Sequence, residues 1–121
     1  FVRELSDWYS HGMRQRLVLA ATLVHKPKVI MVDEPLVGLD PHTARLVKQV
    51  FREQARGGTS IFMSTHVLSV AEDFADRIGI MLQGKIVALG RMEDLRRQAQ
   101  LEGKLEDVFF KITEGAVNPY E

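Results

Sequence analysis

The chain has 121 residues, 16 basic and 16 acidic side chains, and no cysteine. That length allows one domain at most, the balanced charge gives no global field for nucleic acid, and the missing thiols exclude disulfides, thiolate metal sites and cysteine nucleophiles while fitting a reducing compartment. No apolar run approaches the roughly 18 residues of a membrane span, and no charged-then-apolar leader opens the chain, so any membrane connection goes through a partner.

The elements follow in order. Ser10 is placed to cap a helix from about His11 to His25, with Met13, Leu17, Ala20, Ala21 and Val24 on one face. Val29–Val32, bounded by Pro27 and Pro35, reads as a strand buried on both faces. Asp40 and Pro41 start the next helix, which runs to about Arg56 with Ala44, Val47, Phe51 and Ala55 as its inner stripe. Gly57-Gly58 ends it, and Thr59–Ser64 is a second strand. A short helix is expected from Val67 to Ala75. Strands Arg77–Leu82 and Lys85–Leu89 then form a hairpin about Gln83-Gly84. Met92–Gln100 and Leu105–Thr113 close the chain as helices; Leu105, Val108, Phe109 and Ile112 make a core or docking stripe, and Arg96-Arg97 reads as a solvated pair. Alternating strands and helices argue a parallel sheet with right-handed crossovers.

Where the first strand ends, four apolar residues run into two carboxylates, Asp33 and Glu34, and Pro35 stops the pattern. Charged side chains are almost never fully buried without partners, and open α/β sheets bind ligands at the carboxyl ends of their strands. One acid can hold a metal ion while its neighbour handles a water. A strand end followed by an acidic turn is the alternative for such a pair taken alone. Ser10 and Gly12 sit at a helix start, where unpaired N–H groups and the dipole make a ready anion site.

Four segments together resemble the ATP-binding cassette (ABC) ATPases. Tyr9-Ser10-His11-Gly12-Met13, followed by Arg14-Gln15-Arg16-Leu17, resembles their signature motif, and Val29–Glu34 their Walker B strand. Val37-Gly38-Leu39-Asp40 resembles their D-loop and Ser64-Thr65-His66 their switch-histidine loop. The resemblance implies a partial P-loop NTPase (RecA-like) α/β core, with a parallel sheet, flanking helices and a C-terminal β-hairpin. It also implies that the chain, which starts in mid-pattern at Phe1, is the C-terminal portion of a single nucleotide-binding domain. Residues 1–25 would be its signature region, 26–90 its catalytic core and 91–121 its closing helices and tail.

The same resemblance implies roles. Asp33 holds Mg²⁺ through a coordinated water, Glu34 is the general base, and His66 contacts the γ-phosphate of ATP. Ser10, His11, Gly12 and Met13 serve ATP bound by an opposing subunit, and Asp40 belongs to the contact between subunits. The implied partners are a second ATPase subunit, identical or not, and a transmembrane permease, with no nucleic acid. The implied location is cytoplasmic, at the inner face of the membrane. The usual signature reads Leu-Ser-Gly-Gly-Gln, so Tyr9, His11 and Met13 depart from it. That form, with the ending Leu105-Glu106-Asp107-Val108-Phe109-Phe110, resembles the subgroup that powers ABC-2-type exporters.

No G-x-x-x-x-G-K-[ST] occurs in these residues, so the phosphate loop (Walker A) and its lysine are missing from them. The chain alone is expected to hydrolyse negligible ATP. Two other readings stay open: an ABC-type ATPase outside transport, and a non-catalytic partner that lends only its signature face.

Overall fold

The computed structural model describes residues 26–116. They form an α/β chain in the order β1 (Val29–Asp33), α1 (Pro41–Arg56), β2 (Ser60–Ser64), α2 (Leu68–Phe74), β3 (Ile78–Leu82), β4 (Lys85–Gly90), α3 (Met92–Ala99) and α4 (Leu105–Ala116). The predicted helix from His11 to His25, with Ser10, His11, Gly12 and Met13, lies outside the described residues. The described residues divide into two compact units, one ending at Thr65 and the other beginning at His66.

In the first unit β1 and β2 pair in parallel, with Val29 beside Ser60 and Asp33 beside Ser64. Parallel strands need a crossover, and α1 provides it. Its start is fixed by Asp40, which accepts the Thr43 N–H at 3.1 Å and the Thr43 hydroxyl, and by Pro41, placed where no N–H is needed. Its end is fixed by Gly57, whose N–H reaches the Glu53 carbonyl at 3.0 Å, and by Gly58 at a φ of 100° that a side chain would resist. The chain then enters β2 through Ser60, whose N–H donates to the Lys28 carbonyl at 2.9 Å.

Two expectations change in this unit. The inner stripe of α1 is Thr43, Val47 and Phe51; Ala44 is half-buried and Ala55 exposed. Thr43 can occupy the first buried turn because its hydroxyl is satisfied by Asp40, and Val47 and Phe51 follow it at successive i, i+4 steps along one face. Nor is β1 buried on both faces among the described residues. Ile30 is 2% exposed, but Val29, Met31 (77%) and, beside Met31 on β2, Phe62 are open to solvent. A strand is covered twice only where a layer lies on each side, and α1 supplies one.

The second unit is a hairpin covered by helices. Ile78 and Ile80 of β3 and Ala88 of β4 join Leu95, Ala99, Leu105, Val108 and Ile112 in one core, with Leu68, Ala71 and Phe109 packed against it. The stripe predicted for the last helix is therefore core. Each fully buried Leu or Val there stabilises by about 1.5–3 kcal/mol. Gln83 and Gly84, both at positive φ (50° and 78°), make the two-residue turn between Leu82 and its partner Lys85, and such turns match the twist of the strands they join.

The hairpin is irregular in one place. Ile80 pairs with Ala88 but Met81 pairs with Ile86, which leaves Val87 as an extra residue. The bulge turns Ile86 outward while Ala88 stays in the core. The Val87 carbonyl is taken by the Gln98 amide at 3.0 Å. Arg96 also departs from its expected solvated state. Its Nε donates to the Gly103 carbonyl at 2.9 Å, and its guanidinium lies 3.8 Å from Glu72. Arg97 pairs with Asp94 on its own helix. Helix α4 runs past Thr113 to Ala116, because nothing in Thr113-Glu114 breaks it and Thr113 bonds back to the Phe109 carbonyl at 2.8 Å.

Truncating Leu105 (1% exposed) to Ala is expected to cost about 2–5 kcal/mol in denaturant unfolding of the natural gene product. The Thr43 hydroxyl and N–H hold the Asp40 carboxyl below the usual carboxylate range. A depressed folded pKa means that this cap stabilises fully above the unfolded value of about 3.9 and is lost as pH falls through the lower folded value. The stability gap between wild type and Asp40→Ala should stay constant from neutral pH to about 4 and close below it, as read by unfolding across a pH series.

Candidate functional site

The parallel register brings the carboxyl ends of β1 and β2 to one edge, and that edge carries two of the predicted site residues. Asp33, the last residue of β1, is exposed and accepts the hydroxyl of Ser64, its register partner. Glu34 follows, half-buried, and is tied twice to the end of β2. Its N–H donates to the Ser64 carbonyl at 2.8 Å, and its Oε2 accepts the Thr65 hydroxyl at 3.0 Å. The two acids are thus matched with two hydroxyls, one to one.

Glu34 is also held in an uncommon backbone conformation. Its φ is 47°, in the left-handed region that non-glycine residues seldom occupy. The residue before a proline is pushed away from the right-handed helical region, and here the chain takes the left-handed well rather than the extended one. Such a conformation costs on the order of 1–3 kcal/mol and persists where surrounding contacts over-determine it. The two bonds to β2 are such contacts. Beyond Glu34 the loop turns through buried Pro35, the bond from the Val37 N–H to the Glu34 carbonyl at 3.4 Å and Gly38 at a φ of 78°, to reach Asp40.

Asp40 ends that loop as the cap of α1, with both carboxylate oxygens engaged by Thr43. His66 is exposed and is the first residue of the second unit. Ser10, His11, Gly12 and Met13 lie outside the described residues.

The donor set suits a hard cation. Among the described residues no cluster of three or more His, Cys, Asp or Glu side chains could cage a metal. Asp33 and Ser64 instead offer exposed oxygens side by side. Mg²⁺ prefers oxygen ligands, keeps several waters and binds through one or two carboxylates plus substrate phosphates. The sequence reading overlooked the acid-binding roles of Ser64 and Thr65. The available signal was a pair of hydroxyl residues ending the strand parallel to the one that carries the acids.

Comparison with known proteins places this edge in context. A family model described as "AAA domain, putative AbiEii toxin, Type IV TA system" matches residues 4–71. The uncharacterized ABC transporter ATP-binding protein YthP of Bacillus subtilis is 34% identical over 113 residues, 93% of this chain and 48% of the relative. The bacitracin transport ATP-binding protein BcrA of Enterococcus faecalis is 38% identical over 79% of this chain and 32% of its own length. The daunorubicin resistance ATP-binding protein DrrA3 of Streptomyces coeruleorubidus is 40% identical over 74% of this chain and 28% of its own length. A solved ATP-binding subunit of an ABC transporter superposes with a TM-score of 0.83 at 31% identity, covering 88% of this chain and 45% of that one. The chain spans about half the length, or less, of the relatives it matches. Among the described residues no helix is long and apolar enough to cross a membrane.

Proposed function

Because the chain belongs to the ATP-binding proteins of ABC transporters, we propose that it carries the hydrolytic edge of a Mg²⁺-dependent ATPase that drives export through a membrane permease. Its α/β architecture is part of the P-loop NTPase fold. The observation that carries the proposal is the pair of carboxylates at and just after the end of β1, each accepting from a hydroxyl at or just after the end of β2.

In this reading Asp33, with Ser64 beside it, would hold the ion. Mg²⁺, when bound, neutralises charge on the transferred phosphoryl group. Glu34 takes a proton from the attacking water, and its fixed carboxylate needs little reorganisation to do so. His66 donates to a γ-phosphate oxygen; an imidazole suits that task because its second nitrogen can be held by another group. Ser10, His11, Gly12 and Met13 meet ATP held by a second ATPase subunit. Asp40, already committed to Thr43, shapes the loop Val37–Leu39 for the contact between subunits. The relatives named for daunorubicin resistance and bacitracin transport support outward movement of cargo. The permease chooses that cargo, and the ATPase works at the cytoplasmic face beside it. Residues 1–121 then form the C-terminal portion of one nucleotide-binding domain.

In the natural gene product, Glu34→Gln should lower the turnover number for ATP by about 10²–10⁴-fold while ATP still binds, as read by a fluorescent nucleotide. Undiminished hydrolysis by that variant would sink the assignment. The 121 residues purified alone should show no Mg²⁺-dependent phosphate release above background.

A further inference from the structure

We infer that Thr65 is a positioning residue for Glu34, fixing the carboxylate plane of the base through its hydroxyl. The inference rests on the reading of Glu34 as base and adds a residue to it. A glutamate has three side-chain torsions, and a base that wanders among rotamers loses the alignment on which proton abstraction depends. Here the wandering is stopped at both ends. The main chain of Glu34 is pinned by its N–H to the Ser64 carbonyl at 2.8 Å, and the side chain by Oε2 to Thr65 Oγ1 at 3.0 Å. The anchors are Ser64, the last residue of β2, and Thr65, the residue after it, so the parallel register that ends at Asp33 and Ser64 places both beside Glu34.

The chemistry of the contact fits that task. A hydroxyl donates one hydrogen bond to the anion without adding charge, and it leaves the carboxylate able to accept a proton. A lysine or arginine in the same place would neutralise the group that must act. Bonding at Oε2 fixes the direction in which Oε1 presents its lone pairs. The left-handed backbone of Glu34 (φ 47°) makes the anchor necessary, since a strained residue stays in place only while its contacts hold it.

The test compares Thr65→Val, which removes the hydroxyl at nearly constant volume, with Thr65→Ser, which keeps it, both in the natural gene product. Thr65→Val should lower kcat by roughly tenfold to a hundredfold, with KM and fluorescent-nucleotide affinity unchanged within about twofold and the melting temperature preserved; Thr65→Ser should recover most of the loss. In a Glu34→Gln background Thr65→Val should cause no further loss, because the group it positions is gone. The inference fails if KM rises in step with the fall in kcat, if serine does not rescue, or if the loss is the same with and without Glu34. If Thr65→Val does not fold, Thr65→Ala reads the same quantities. Full activity of Glu34→Gln itself would instead refute the base assignment, whatever Thr65 does.

Discussion

Parallel pairing of two five-residue strands, with Asp33 set opposite Ser64, is the constraint on which the acidic edge depends. Antiparallel strands would send their carboxyl ends to opposite sides, and the acids of one could not meet the hydroxyls of the other. Register matters as much as direction. A slip of one residue moves every side chain of a strand to the other face. It would set Ile30 and Met31 against the wrong neighbours and part Asp33 from Ser64. Helix α1 helps prevent such a slip, because its capped start and glycine end fix the length of the crossover.

Charge shapes the same edge. Adjacent carboxylates repel, and separate donors facing each of them hold the two apart. The donors here are neutral hydroxyls and a backbone N–H, which orient the acids without cancelling them. Asp40 shows the other use of a carboxylate in the same loop. It is spent on starting a helix, and its two bonds from Thr43 leave it a structural group first.

Much of this was legible in the sequence. Helices and strands declare themselves through local periodicity and punctuation, so Asp40-Pro41, Gly57-Gly58 and Gln83-Gly84 mark boundaries that the structure keeps. Burial was less legible, because it depends on what lies across from a face. The apolar run Val29–Val32 looks the same whether one layer covers it or two, and only the packing separates Ile30 from Met31. Thr43 displaced Ala44 and Ala55 from the inner stripe because a hydrogen bond cancels its polarity, which no hydrophobicity pattern records. Arg96 found Gly103 and Glu72 for a similar reason. At the site, motif likeness located the acids. Their hydroxyl partners, 31 positions away, emerge only once the strands are in register.

The extra residue in β4 has a consequence for how this hairpin tolerates change. Because Val87 both makes the offset and packs half-buried against the core, the strand cannot gain or lose a single position there harmlessly. Removing Val87 would leave Ile86 and Ala88 on opposite sides, as neighbours in a regular strand are, but would take away a half-buried side chain that packs against the core. It would also leave the Gln98 amide without the oxygen it now holds. Insertions and deletions in descendants of this sequence should therefore gather at the Gln83-Gly84 bend and avoid the kink.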